Sequence, residues 1–104
     1  MKFDVRFTVE AQDDLVRLFE FLLERATTTE DLDHAQAAIE AVRAAVMTQL
    51  SATPYSFRKA DRSPTRRELI IPFGATGYVA LYEIVDPASV LVLAVRHQRE
   101  EDYH

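Results

Sequence analysis

Two short stretches carry the side chains that could do chemistry. Arg58, Lys59, Arg62, Arg66 and Arg67 face only Asp61 across residues 58–67, and Arg96, His97 and Arg99 close the last apolar run. Arginine brings fixed positive charge to an anionic centre or an acidic partner. An unperturbed imidazole such as that of His97 exchanges protons at about pH 6.5. Glu68, Tyr103 or His104 could act as a second proton-transfer group. Each part also has a plainer use. His97 can be a strand-end residue bonded to a neighbouring carbonyl, and Arg66 and Arg67 can pair with Glu68, Glu83 or the acidic helix starts. An exposed ion pair contributes only about 0–1 kcal/mol, so binding an acidic partner accounts better for two adjacent arginines. His34, in the first turn of an acidic helix, reads as solvated.

The elements that must position these groups follow from periodicity. Residues 66–73, 77–84 and 90–97 are β-branched and aromatic-rich runs split by Gly/Ala/Thr and Asp/Pro/Ser clusters, which predicts an antiparallel meander. In its first strand Arg67, Leu69, Ile71 and Phe73 share one face, and Arg66, Glu68, Ile70 and Pro72 the other. Pro72 cannot donate to a ladder, so that strand is an edge or ends there. Its last strand is apolar on both faces from Val90 to Val95, which suits a central position. Upstream, residues 3–9 alternate with period two, predicting a strand with Phe3, Val5, Phe7 and Val9 toward the core. Thr8 can cap a helix whose stripe is Ala11, Leu15, Leu18 and Leu22, widened by Phe19; Phe21 and Leu23 fall off it. Thr27-Thr28-Thr29 ends that helix. Glu30, Asp31 and Asp33 then open a second one, with a stripe of Ala35, Ala38, Ile39, Val42, Ala45, Val46 and Leu50 ending near Thr53-Pro54.

The expected fold is α+β, in the order β-α-α-β-β-β: an αα-hairpin packed on one face of a mainly antiparallel four-stranded sheet. Residues 54–65 lack periodicity and read as a loop, with Tyr55 and Phe57 tucked against the helix ends. Such a long loop in a small domain is often functional. The tail, 98–104, reads as a turn of helix or as loose chain that brings Tyr103 and His104 near His97.

With 104 residues the chain is expected to form one domain, 1–104. Having no cysteine, it has no disulfides, thiolate nucleophiles or thiolate metal sites. Three histidines show no ligand spacing, and two glycines cannot build a phosphate-cradling loop, so neither cofactor nor metal is expected. The first residues alternate charge with apolar bulk, unlike a secretory leader, and no apolar run approaches membrane-spanning length. A cytoplasmic location without membrane contact is therefore expected. The net charge of −5 argues against sequence-blind affinity for a phosphate backbone. Its distribution is uneven: residues 1–52 hold five Lys/Arg against ten Asp/Glu, whereas 53–104 hold seven against seven. A basic patch thus sits on an acidic body.

In this order of elements the chain resembles the RelE/ParE superfamily of toxins from type II toxin–antitoxin systems. The likeness is carried by Phe7-Thr8 with Glu10-Ala11 and Asp14-Leu15, by Leu50 with Pro54 at the helix exit, and by Arg67-Glu68-Leu69 opening the meander. Gly77-Tyr78-Val79-Ala80-Leu81-Tyr82 and the close from Val90 through Val95-Arg96-His97-Gln98-Arg99 complete it. The Arg-Glu-Leu opening and the Val-Arg-His-Gln-Arg close look more like the ParE branch. The resemblance implies a small bacterial toxin of the plasmid-stabilisation type. It implies neutralisation by a cognate antitoxin, ParD-like or related, whose extended segment and helix wrap the sheet and helices in a hetero-oligomer.

ParE-like members are associated with inhibition of DNA gyrase by binding, without chemistry of their own. RelE-like members cut mRNA in the ribosomal A site. Cleavage through a 2′-hydroxyl needs a base, an acid and charge for the phosphate, and His97, Arg67, Arg96 and Tyr103 would be its candidates. A nuclease working among rRNA phosphates benefits from a basic surface, and the acidic run Glu100-Glu101-Asp102 would repel RNA. The binding-type toxin is the favoured reading, with Arg58, Lys59, Arg62, Arg66, Arg67, Arg96, His97 and Arg99 as its partner-binding rim. The metal-independent endoribonuclease is the alternative.

Overall fold

A computed structural model of the chain describes residues 2–60, 62–100 and 103. Strand β1 (Asp4–Phe7) leads into helix α1 (Val9–Arg25), helix α2 (Thr29–Ala52) and a 3-10 turn at Pro54–Ser56. Strands β2 (Arg58–Lys59), β3 (Arg66–Phe73), β4 (Thr76–Asp86) and β5 (Ser89–His97) follow. They form one sheet in the order β1-β5-β4-β3-β2, with β1 parallel to β5 and every other pairing antiparallel. The sheet therefore has five strands where four were expected. The additional one is Arg58–Lys59, inside the supposed loop, which pairs with Glu68 and Arg67 of β3. Two residues cannot display a period, so only pairing with β3 makes them a strand.

Both helices begin as their sequences require. The Thr8 hydroxyl accepts the Ala11 amide at 3.0 Å and the Thr28 hydroxyl accepts the Asp31 amide at 3.0 Å, satisfying amides that have no partner within the helix. Because Thr8 already caps, Val9 is helical, not extended; it points outward and is 68% exposed, so it is not the core residue that strand alternation suggested. The remaining stripes are in place. Ala11, Leu15 and Leu18 of α1 and Ala38, Val42, Val46 and Leu50 of α2 pack on Leu69, Ile71, Tyr78, Ala80, Tyr82, Ile84, Val90, Val92 and Val95. Phe3, Phe7, Leu22, Ile39, Ala45, Phe57 and Phe73 ring that core, whereas Tyr55 stays exposed against Phe3.

Strand β5 is interior, as its two apolar faces demand. Strand β3 is covered by β2 only at Arg67 and Glu68, so among the described residues the edge from Leu69 to the end of the strand, Pro72 included, carries no further pairing. The β4–β5 ladder slips between Leu81 and Tyr82, opposite Ala94 and Val92. This bulge puts Val92 and Val95 on the helix side together. Gly77, opposite Pro72, has no room for a side chain, since a Cβ there would lie 2.5 Å from the Ile71 carbonyl oxygen.

Strand β1 is shorter than the flank of β5 that it covers. Its last partner is Val92, and Thr8 N–H donates to Val92 O at 3.0 Å. Beyond that point the side chains of α1 take over. Thr8 Oγ1 donates to Leu93 O at 3.3 Å, Asp14 Oδ2 accepts Val95 N–H at 2.8 Å, and Arg17 Nη2 reaches Val95 O at 3.4 Å. Asp14, only 5% exposed, is the one buried charged residue among those described.

Candidate functional site

Strand alternation separates the candidate residues before any chemistry is considered. His97 pairs with Tyr78 and lies toward α1, whereas Arg96 pairs with Val79 and lies on the opposite face of the sheet. Arg67 pairs with Tyr82 on the helix side of β3. Four residues along β4 and two strand spacings then separate it from His97, roughly 16 Å at standard strand dimensions. Tyr103 packs on neither His97 nor Arg67. Its hydroxyl donates to Glu68 Oε2 at 2.5 Å and its ring sits 5.1 Å from the Arg96 guanidinium, on the face away from the helices. The four groups proposed for cleavage thus occupy three places.

Most of the cationic rim is engaged within the fold. Arg58 pairs with Glu68 at 2.9 Å and Arg66 with Glu83 at 3.3 Å, both across adjacent strands. Arg67 donates to Phe57 O at 2.6 Å and lies over the Tyr55 ring. Arg96 donates to Glu100 O at 2.5 Å and stands 4.0 Å from Glu68. Lys59, Arg62 and Arg99 are exposed, and their side chains have no carboxylate partner among the described residues. His104, Glu101 and Asp102 lie outside the described residues. His34 is exposed, its ring 5.1 Å from that of Phe73.

Titration properties also count against proton transfer by the tyrosines on either face of the sheet. Burial, with the hydrogen bond to Glu68 and its charge, raises the Tyr103 phenol far above the usual range. Burial raises Tyr82 to about 12, with Arg67 pulling the other way; the Tyr82 hydroxyl donates to the Pro54 carbonyl. Tyr78 is raised by burial as well. None of these phenols exchanges protons near neutrality. No group of three His, Asp or Glu side chains among the described residues could hold a metal ion.

His97 is held as a neutral ring. Its Nδ1 accepts the Arg99 amide at 3.1 Å, so Nε2 carries the proton and faces Thr76 Oγ1 at 3.1 Å. Burial lowers its pKa from 6.5, Arg99 lowers it further, and Glu100 opposes. Protonation removes the Nδ1 acceptor and with it the anchor of the 98–100 turn. Because the folded state binds this proton less readily than the unfolded chain, stability should rise with pH between the lowered value and 6.5 and level off above. Thermal melts from about pH 5 to pH 7.5 should show that slope, flattened in His97→Gln, whose amide oxygen can still accept the Arg99 N–H. An equal slope in both proteins would assign it to another group.

A cleft of about 600 Å³ opens where α1 outruns the sheet. Its walls include Arg17, Phe21, Leu22 and Arg25 of α1, with Tyr78, His97, Arg99 and Glu100 from the strand ends. Neither Arg17 nor Arg25 was among the residues selected by charge clustering. The available signal was their spacing, since Arg17, Phe21 and Arg25 recur every four residues and share one helix face.

Three comparisons bear on this geometry. Residues 5–102 match the family model described as the ParE toxin of the type II toxin–antitoxin system parDE. The chain is 33% identical over 101 residues to a toxin of Caulobacter vibrioides named RelE1, covering 97% of this chain and 99% of that one. In structure it is similar to the chromosomal ParDE toxin–antitoxin system from P. aeruginosa, with a TM-score of 0.69, 12% identity and coverage of 92% and 96%. It is also similar to the RelBE2 toxin–antitoxin complex from Mycobacterium tuberculosis, with a TM-score of 0.59, 24% identity and coverage of 94% and 100%. Those two likenesses concern the fold.

Proposed function

The chain belongs to the ParE toxin family of type II toxin–antitoxin systems, and on that premise we propose that it acts by binding and inhibiting DNA gyrase, held silent by a cognate ParD-like antitoxin. The observation that carries this reading is the dispersal of the proton-transfer groups. His97, Arg67 and the Arg96–Tyr103 pair face three different surroundings, and at the one place where a guanidinium meets two proton-transfer candidates, Arg96 with Glu68 and Tyr103, the phenol is bonded to the carboxylate and raised far above neutrality. The net charge of −5 supports it, since a protein-on-protein inhibitor needs no phosphate-attracting surface. Lys59 and Arg62, at the β2 edge, are the cations of the rim least committed to internal pairs and are assigned to the target.

A supercoiling assay with purified gyrase tests the reading. The protein should inhibit supercoiling or trap cleaved DNA. The double change Lys59→Glu, Arg62→Glu should raise the concentration needed by about tenfold, two exposed charges being worth roughly 1.4 kcal/mol together. Undisturbed supercoiling, with codon-dependent cuts appearing in programmed ribosomes, would transfer the chain to the RelE-like nuclease reading.

A further inference from the structure

The cleft under the overhanging end of α1 has no part in the reading above, and its cause is a mismatch of lengths. Helix α1 runs in the same direction as β5: Thr8 meets Leu93, Asp14 meets Val95 and Arg17 meets Glu100. Strand β5 ends at His97, so the last two turns of the helix extend past the sheet. Their apolar side chains lose the floor that Leu15 enjoys. Phe21 is 49% exposed, and the half-buried Leu22 lines the cleft, with the buried Tyr78 ring behind it. Solvent contact over that much apolar surface is unfavourable by about 25 cal/mol per Å².

Charge is arranged at the two ends of this apolar strip. Arg17 is already neutralised by Glu100 at 3.3 Å, with Asp14 behind it at 3.8 Å. Arg25, stacked 4.4 Å over the Phe21 ring, has no carboxylate partner among the described residues. Arg99, beside Glu100 at the other end, has none either. His97 contributes no charge above its lowered pKa. Eight residues of helix separate Arg25 from the Arg17 end, about 12 Å. Arg25 and Arg99 thus flank the apolar strip from its two ends. They fit two carboxylates on either side of an apolar anchor. In an extended segment, residues i, i+2 and i+4 share a face and span about 13 Å.

We propose that this cleft docks an extended acidic peptide of the pattern acidic–x–apolar–x–acidic, supplied by the neutralising antitoxin. The apolar side chain covers Phe21 and Leu22, and the carboxylates meet Arg25 and Arg99. The proposal rests on the reading of the chain as a toxin held by an antitoxin, and adds which surface is held and by what chemistry.

The test uses the full chain and a fluorescein-labelled dodecapeptide with a central Glu-Ala-Leu-Ala-Glu set in Gly and Ser, read by fluorescence anisotropy. Saturable binding is expected, weakened about tenfold by Arg25→Glu, by Arg99→Glu, or by Leu→Ala in the peptide. Both arginines are exposed, so neither variant threatens folding. Lys59→Glu should bind as the parent does. No binding at millimolar peptide, equal binding by Arg25→Glu, or equal weakening by Lys59→Glu would each overturn the proposal. So would uridine monophosphate competing for the cleft as well as the peptide does. Because this readout contains no gyrase, its failure leaves the supercoiling result standing, and the reverse holds too.

Discussion

Asp14→Ala should lower the unfolding free energy by about 2–4 kcal/mol, a large share of what a domain of this size possesses. The carboxylate accepts the Val95 amide at 2.8 Å inside the fold and lies beside the Arg17 guanidinium. It stands where a neighbouring strand would otherwise bond, because β1 stops opposite Val92. Truncation leaves a buried amide without an acceptor, a side-chain-sized void, and Arg17 with Glu100 as its remaining close carboxylate. Asp14→Asn keeps an acceptor oxygen of the same shape and should cost about half as much. For a domain of about 100 residues the alanine variant should melt roughly 10–20 °C lower. A fall of only a few degrees would mean that the amide finds water or another acceptor, and that α1 does not continue the ladder.

Glu68→Ala is the second large effect, at about 2–4 kcal/mol. Glu68 is the hub of the outer face, accepting from Arg58 and from the Tyr103 hydroxyl, with the Arg96 guanidinium 4.0 Å away. The side chains of Arg96 and Glu68 are only 13% and 16% exposed, so deleting the carboxylate leaves a poorly solvated cation with the backbone carbonyls of His97, Gln98 and Glu100 but without that nearby negative charge. The contribution of Arg58, half exposed, is smaller because water screens it. Glu68→Gln retains an acceptor for Tyr103 but no charge for Arg96, and should fall between. Hydrogen exchange provides a second readout. In Glu68→Ala the amides of β3 and the end of β5 should lose protection, while those of α2, remote from the hub, should lose only what global destabilisation accounts for. Uniform loss throughout the chain would show that Glu68 has no local role.

Much of the molecule was legible without coordinates because its information is local. The period-two runs are the strands, the three-and-four spacing of Ala11, Leu15 and Leu18 is the buried stripe, and Thr8 marks the first turn of α1. Pro72 fell on an edge for the reason its missing N–H dictates. The cationic rim was legible only as composition. That Arg58 meets Glu68 and Arg66 meets Glu83 depends on cross-strand register, which a list of charges does not contain.

By itself, then, the order of residues determined the helices, the meander and the core faces, since each follows from periods and caps within a few neighbours, while the family came from likeness to known toxins. Tertiary structure alone decided the rest. It made Arg58–Lys59 a strand, made Asp14 a ladder acceptor for Val95, set Arg67 and His97 far apart on the helix side of the sheet, and left the end of α1 overhanging the sheet. Each of these depends on how far one element extends relative to another that is distant in sequence, and relative length and register exist only once the chain has packed.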